Sequence, residues 1–429
     1  MKLRRLWSLL RASWWLVPSI CSAAAIGLSL VAETIDRHIG QNFTAWYLFG
    51  GGPDGARSVL SVVATSVLTF SGLVFSITVL VLQLASSQFS PRVLKTFLRD
   101  RASQLALGTF VGTFVYALVG LRAVRGTVAS ADAYVPSLTV WLAVALALGC
   151  VGAFIFYINH IAQSIRAIVV IRRIGDATRR TLVRAYPDGL GSAEGDATAP
   201  RPSGEPTLDI PHQGRPGVLQ KLDEDHLVRC AAAAGVVIVI LPQVGDFVPT
   251  GSLIASVWGS AERLSVTAVT DALVIGEERT LEDDPPFGIR QLVDIAERAL
   301  SPGINDPSTA VQAIDEIHDL LSRIVTRRFP PPGRLDREQN LRLVVSRPVL
   351  SDYLHLAVDE IAHYGASSLQ VMPRLAAMLR ALLRVAPPFR RAAIEDVLSS
   401  LPPTMPGAAT GALQPAAQPR RLPYQVDRA

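Results

Sequence analysis

The hydrophobic pattern divides the chain in two. Up to about Ile158 the apolar residues come in long runs, with charges confined almost wholly to the gaps between them. After Arg166 they recur at short helical or strand spacing, among charges spread as in a globular domain. Between Ser58 and Arg101 lies the run SVVATSVLTFSGLVFSITVLVLQLAS, followed by the basic segment SPRVLKTFLRDR. An uncharged stretch of roughly 26 residues is long enough to cross a hydrocarbon core of about 30 Å as a helix. Three further runs have the same character, so the pattern predicts four spans: Trp14 to Ala32, Val59 to Leu84, Leu105 to Leu121 and Leu138 to Ile158.

The flanks of the spans alternate in charge. Lys2, Arg4, Arg5 and Arg11 precede the first; Arg92, Lys95, Arg99 and Arg101 separate the second and third; Arg166, Arg172, Arg173, Arg179 and Arg180 follow the fourth. The remaining loops carry the mixed sets Glu33, Asp36, Arg37, Asp54 and Arg57, then Arg122, Arg125 and Asp132. The positive-inside bias therefore predicts a multi-pass membrane protein with both termini cytoplasmic. A signal peptide over residues 1 to 25 is the rival reading, but the apolar run continues to Val31 and its removal would strand the rest against the charge bias.

At about 100° per residue, Ser58, Ser61, Thr65, Thr69, Gly72, Ser76, Gln83 and Ser87 of the second span fall within about 40° of one line. Such a stripe serves either close helix packing or a water-filled path in which hydroxyls and the Gln83 amide solvate a permeating species. No Asp, Glu, Lys or Arg lies inside a span core, so a proton relay or charge-coupled transporter has no visible carrier.

Beyond the spans, residues 161–186 read as a basic juxtamembrane helix, 187–216 as a flexible Gly, Pro, Ala and Ser-rich linker, 217–401 as a cytoplasmic α/β domain and 402–429 as a disordered Pro and Ala-rich tail. Within the domain, GVLQKL, VVIVIL and FVPTGSLIASVWG predict short strands of a small β-sheet or barrel module, with a helix from about Glu224 to Ala234. The turn GDFVPTG has a superficial likeness to swinging-arm carrier domains, but no lysine occupies it, which argues against an attached cofactor.

The C-terminal half reads as helical. Leu292, Ile295, Ala296 and Ala299 share one helical face, as do Val311, Ile314, Ile317 and Leu321 of a second helix. Between them lies SPGINDP, with Asp306 placed as N-cap and Pro307 at the first helical position. The segments FSGLVFSITVLVLQLASSQFSPRVL, GDFVPTG and ERTLEDDPPFGIRQLVDIAERALSPGINDPSTA resemble those of the bacterial predicted membrane proteins grouped as domain of unknown function 2254, over about Leu9 to Leu383. The resemblance implies a multi-span inner-membrane protein with a cytoplasmic domain, and implies no activity.

Composition adds exclusions. The chain has 49% hydrophobic and 18% charged residues and a formal net charge of +5. Cations beside spans account for that excess without nucleic acid. Cys21, Cys150 and Cys230 show no zinc or disulfide spacing and are expected to pack as small apolar residues. The acidic cluster Glu277, Glu278, Glu282, Asp283 and Asp284 lacks the alternating spacing of a calcium loop and reads as a solvated face partly paired with Arg279 and Arg290. His355, Asp359 and His363, spaced by four, read as a polar outer helix face before a metal site. No catalytic triad, P-loop or dinucleotide-binding glycine pattern occurs, so no enzyme and no cofactor are expected.

Two sites remain as candidates: the stripe Thr65, Thr69, Gly72, Ser76, Gln83 and Ser87, and the joint Ser301, Pro302, Gly303, Asn305 and Asp306. Ser301, Asn305 and amides near Asp306 can meet an anion at the helix start, although Asp306 as cap already occupies those amides. The expected partners are the lipid bilayer, further copies of the chain and an unidentified ion or small molecule. The function read from the stripe is an oligomeric, channel-like permeation protein with the second span central. The alternative is a membrane-anchored sensor or scaffold whose cytoplasmic domain binds a ligand or partner.

Overall fold

The structure is a computed structural model that describes residues 15–39, 49–88, 101–124, 135–187, 189 and 202–402, with the side chains at 39, 85–88 and 101 excluded. The basic flanks Lys2 to Arg11 and Arg92 to Arg99, together with 190–201 of the expected linker and 403–429 of the expected tail, lie outside the described residues. The chain forms two compact units, Met1–Arg173 and Ile174–Ala429.

The N-terminal unit consists of long apolar helices: α1 (Leu16–Ile39), α2 (Gly52–Gln88), α3 (Arg101–Ala123) and α4 (Ser137–Ser164). All four are long and apolar enough to cross a membrane. The helices run past the expected spans because polar termini continue them. α1 carries Asp36 at its end, where the carboxylate accepts from the Leu138 and Thr139 amides at 2.9 and 3.0 Å and caps α4.

α1 packs chiefly on α3, and α2 on α3 and α4. A Cβ at Gly108 would lie 2.8 Å from Cys21 Sγ, and one at Gly112 would lie 3.2 Å from the Cys21 carbonyl oxygen, so these α3 glycines set the α1 approach. Tyr157 of α4 is buried, its hydroxyl 2.6 Å from that of Thr78 on α2. Cys150 is buried beside Thr113 at 3.3 Å, whereas Cys21 and Cys230 are half-buried, and all three are free.

α5 (Ala167–Ala185) follows a short turn after α4. The expected basic juxtamembrane helix over 161–186 is therefore divided between the end of α4 and α5, and the later residues of α5 belong to the C-terminal unit. There Gly175 lies against Glu316 and Thr178 against Gly288, closer than a Cβ at either glycine would allow. Arg179 reaches Glu316 and Asp319 at 2.5 and 2.7 Å.

The rest of the C-terminal unit pairs two sheets with a helical half. β1 (Leu208–Pro211), β5 (Leu253–Trp258), β3 (Val237–Ile240), β8 (Leu341–Val345) and β7 (Gly333–Leu335) form one sheet in that order, antiparallel except for β3 with β8. β4 (Phe247–Val248), β2 (Gly217–Leu222) and β6 (Leu273–Gly276) form a second, antiparallel sheet. The alternative of a barrel does not hold, since both sheets are open. β1 lies inside the stretch expected to be linker, and Gly189 forms a bridge with Arg327.

α6 (Glu224–Ala234) covers a core that both sheets share, with Leu219, Leu227, Ile238, Val257 and Leu343 buried. α7 (Val266–Asp271) precedes β6. The helical half comprises α8 (Pro285–Leu300), α9 (Pro307–Val325), α10 (Leu350–Gly365), α11 (Val371–Val385) and α12 (Pro388–Ser400). Leu292, Ile295, Ala296, Ile314, Ile317 and Leu321 are buried, as their spacing predicts, and Val311 is half-buried.

Candidate functional site: the outward face of the second span

α2 buries one side only. Leu60, Val63, Ala64, Val67, Val74, Thr78 and Val81 face the neighbouring helices. On the helical wheel the polar stripe is centred about 160° from that packed face. Ser58, Ser61, Thr65, Thr69, Gly72, Ser76 and Gln83 are all exposed, and the Ser87 side chain lies outside the described residues. Nothing lies within 4 Å of where a Cβ on Gly72 would sit. Among the described residues the stripe thus takes no part in packing helices; glycines at helix contacts, Gly108, Gly112 and Gly120, are on α3.

The stripe differs chemically along its length. Thr65 and Thr69 turn their hydroxyls back on the carbonyls of Ser61 and Thr65 at 2.9 and 3.0 Å, which satisfies the donors and leaves oxygen lone pairs outward. Among the described residues, the side chains of Ser76 and Gln83 take no protein partner. Exposed Val62, Leu73 and Leu80 flank the stripe on one side and Leu68, Phe75 and Val79 on the other. The outward surface of α2 is therefore a polar ribbon between two apolar borders.

The loop between α8 and α9 is a closed joint. Ser301 ends α8 and returns its hydroxyl to the Arg298 carbonyl at 2.7 Å, while the Asp306 amide donates to Ala299 at 2.7 Å. Asn305 adopts φ +50°, the left-handed region in which Asn is tolerated. The Asp306 carboxylate accepts from the Thr309 amide at 3.1 Å and its hydroxyl at 2.6 Å, which together hold its pKa below the ordinary carboxylate range. Pro302 and Gly303 are exposed, with open space around Gly303. Asp306 occupies the amides an anion would need, so the joint acts as a capped corner.

The other polar groupings resolve locally. Asp284 is buried and held by Arg279 through two bonds of 2.8 and 2.9 Å while capping α8 at Phe287. Its pKa is pushed up by burial and pulled back by Arg279. Arg290 turns to Asp294 and Glu360 instead of the acidic cluster. His355 pairs with Asp359 at 3.1 Å on an exposed face, the His363 ring lies against Tyr364, and no metal-binding group of three occurs among the described residues.

Sequence reasoning missed Arg390. It is buried, donates from Nη1 to the carbonyls of Ile324, Val325 and Arg327 at 3.1, 3.0 and 2.9 Å, and lies over the Phe329 ring. An arginine amid RRAAIEDVL carries no mark of this, since the carbonyls it closes lie more than sixty residues earlier.

Comparison with known proteins agrees with this architecture. The family described as predicted membrane protein, domain of unknown function 2254, matches residues 11–381. Uncharacterised proteins of Mycobacterium bovis and Mycobacterium tuberculosis are each 34% identical over 398 residues, covering 91% of this chain and 75% of theirs. No solved structure matches.

Proposed function

Because the chain belongs to the family of predicted membrane proteins with domain of unknown function 2254, we propose that it is an inner-membrane protein that assembles from several copies around α2 and passes small polar or ionic solutes. The observation that carries this reading is the position of the stripe. Seven small or polar positions of a membrane helix, Ser58 to Gln83, face away from their own bundle. Thr65 and Thr69 satisfy their hydroxyl donors within the helix, but the Ser76 hydroxyl and above all the Gln83 amide are costly to leave against hydrocarbon, and another copy or a water-filled path relieves that cost. In a ring of copies the apolar borders pack between neighbours and the ribbon lines the path. The absence of charges in the span cores suits passive permeation. In the same reading both termini are cytoplasmic, as the arginines after the fourth span favour.

The test is ion flux and single-channel recording on full-length protein in liposomes, comparing wild type with Ser76→Leu and Gln83→Leu. Reproducible conductance that these substitutions change, with assembly intact, supports the path. A tight bilayer across voltage, salt and tension overturns it.

A further inference from the structure

The C-terminal unit contains a cleft of about 740 Å³ that the reading above does not use. Its walls are the end of α5, the end of β2, the start of α6 and the segment following α9. It is lined by five cations, Arg184, Lys221, Arg328, Arg334 and Arg347, against three carboxylates, an excess of two positive charges.

Those carboxylates are already committed. Asp223 caps α6 by accepting from the His226 amide at 3.0 Å. Glu224 accepts from Arg347 at 2.6 Å and from Arg334 at 2.9 Å, and Asp225 accepts from Arg334 at 2.9 Å. This Arg–Glu–Arg clamp fixes two guanidinium groups in place, and the buried Arg347 Nε has no partner. Arg184 and Arg328 are exposed and take no carboxylate among the described residues; Arg184 reaches only the Thr181 hydroxyl, at 3.3 Å. A smaller recess of about 240 Å³ shares Arg184 and Arg347 but also carries Glu282 and Asp283, so an anionic group belongs in the larger cleft.

Guanidinium groups offer forked donors that match oxyanions, and a cleft of this size suits a small organic molecule. Apolar surface from Leu222, Phe329 and Pro330 completes the lining and suits a body that is not itself charged. We propose that this cleft binds an organic phosphate, with Arg184 and Arg328 meeting the phosphate oxygens and the clamped Arg334 and Arg347 holding its position. The phosphate can come from a soluble metabolite or from a lipid headgroup.

The experiment is calorimetric titration of full-length protein in phosphatidylcholine nanodiscs with three probes: inorganic pyrophosphate, ATP and the water-soluble dihexanoyl phosphatidic acid. Saturable binding by wild type is expected, with the joint substitution Arg184→Ala and Arg328→Ala raising the Kd at least about tenfold. Both arginines are exposed and form no ion pair among the described residues, so the variant is expected to keep its fold, checked by an unchanged Tm. Arg380→Ala, an exposed arginine outside the lining, controls for general charge. ATP binding without phosphatidic acid binding supports the site and assigns a soluble ligand, and the converse supports it and assigns a headgroup. No saturation with any probe, an unchanged Kd in the folded double variant, or equal weakening by Arg380→Ala overturns the proposal.

Discussion

Both ends of α9 are closed by single side chains whose removal exposes backbone groups. At its start, Asp306 accepts from Thr309. Asp306→Ala is expected to cost about 1 kcal/mol in chemical denaturation, and Asp306→Asn a smaller amount because Asn also caps. The pKa of Asp306 is lowered in the folded chain, so its contribution is complete above the unfolded value of about 3.9 and disappears as pH falls through the lower native value. The gap between wild type and Asp306→Ala should therefore close in acid; a gap that persists below that range would show the loss is not one of carboxylate capping. At the other end, Arg390→Ala removes three hydrogen bonds to backbone carbonyls together with the contact on Phe329 and should cost about 3 kcal/mol. Arg390→Lys should recover only part, since an ammonium in the place of Nη1 can still donate to the three oxygens but has no planar face to stack on Phe329. Full recovery by lysine would show that charge alone sufficed.

Helix packing in the membrane unit is decided by elements whose sequences look alike. Val63, Val67 and Val74 of α2 are buried, and Val62, Leu68 and Leu73 are exposed, yet all are equally apolar. Hydropathy distinguishes water from oil but not lipid from protein, so the four spans were legible while the packed face of α2 was not. The wheel set the polar positions on one line and left open which way that line points. In the C-terminal unit the faces at Leu292 and Ile314 were legible because water lies opposite them; the edge strand β1 was not, because four residues show no period and their pairing with β5 is fixed far along the chain. The glycines turn this contrast into a measurement. Gly108→Leu should break the α1–α3 contact and lower the yield of folded, monodisperse protein, because a Cβ there already meets Cys21. Gly72→Leu has open space and should leave the single-chain fold intact; if copies meet along the stripe, it should shift the oligomer to smaller species in light scattering. A fold loss at Gly72 matching that at Gly108 would place the stripe inside the bundle and contradict the exposed face.

At the scale of the whole chain, the division between Arg173 and Ile174 falls inside α5, in the stretch that reads from sequence as a basic juxtamembrane helix. Arg179 is spent on Glu316 and Asp319, and Leu182 and Tyr186 are buried in the C-terminal unit. The Tyr186 hydroxyl meets that of Tyr353 at 2.7 Å, and Thr181 donates to the Leu281 carbonyl at 2.7 Å. A fragment of residues 167–402 should accordingly be soluble and unfold in one cooperative transition, because it contains both the sheet core and the helical core together with the helix that completes the latter. A fragment of residues 202–402 lacks that helix, leaves Tyr353 without its hydroxyl partner and opens the surface around Gly288 and Glu316. It should unfold at lower denaturant concentration or bind hydrophobic dyes while folded. If the two fragments unfold at the same midpoint and with the same slope, α5 contributes nothing to the unit and its arginines are better assigned to the membrane surface. A lower midpoint for the shorter fragment alone would make the end of the basic helix an integral part of the domain, and with it Arg184 at the wall of the cleft.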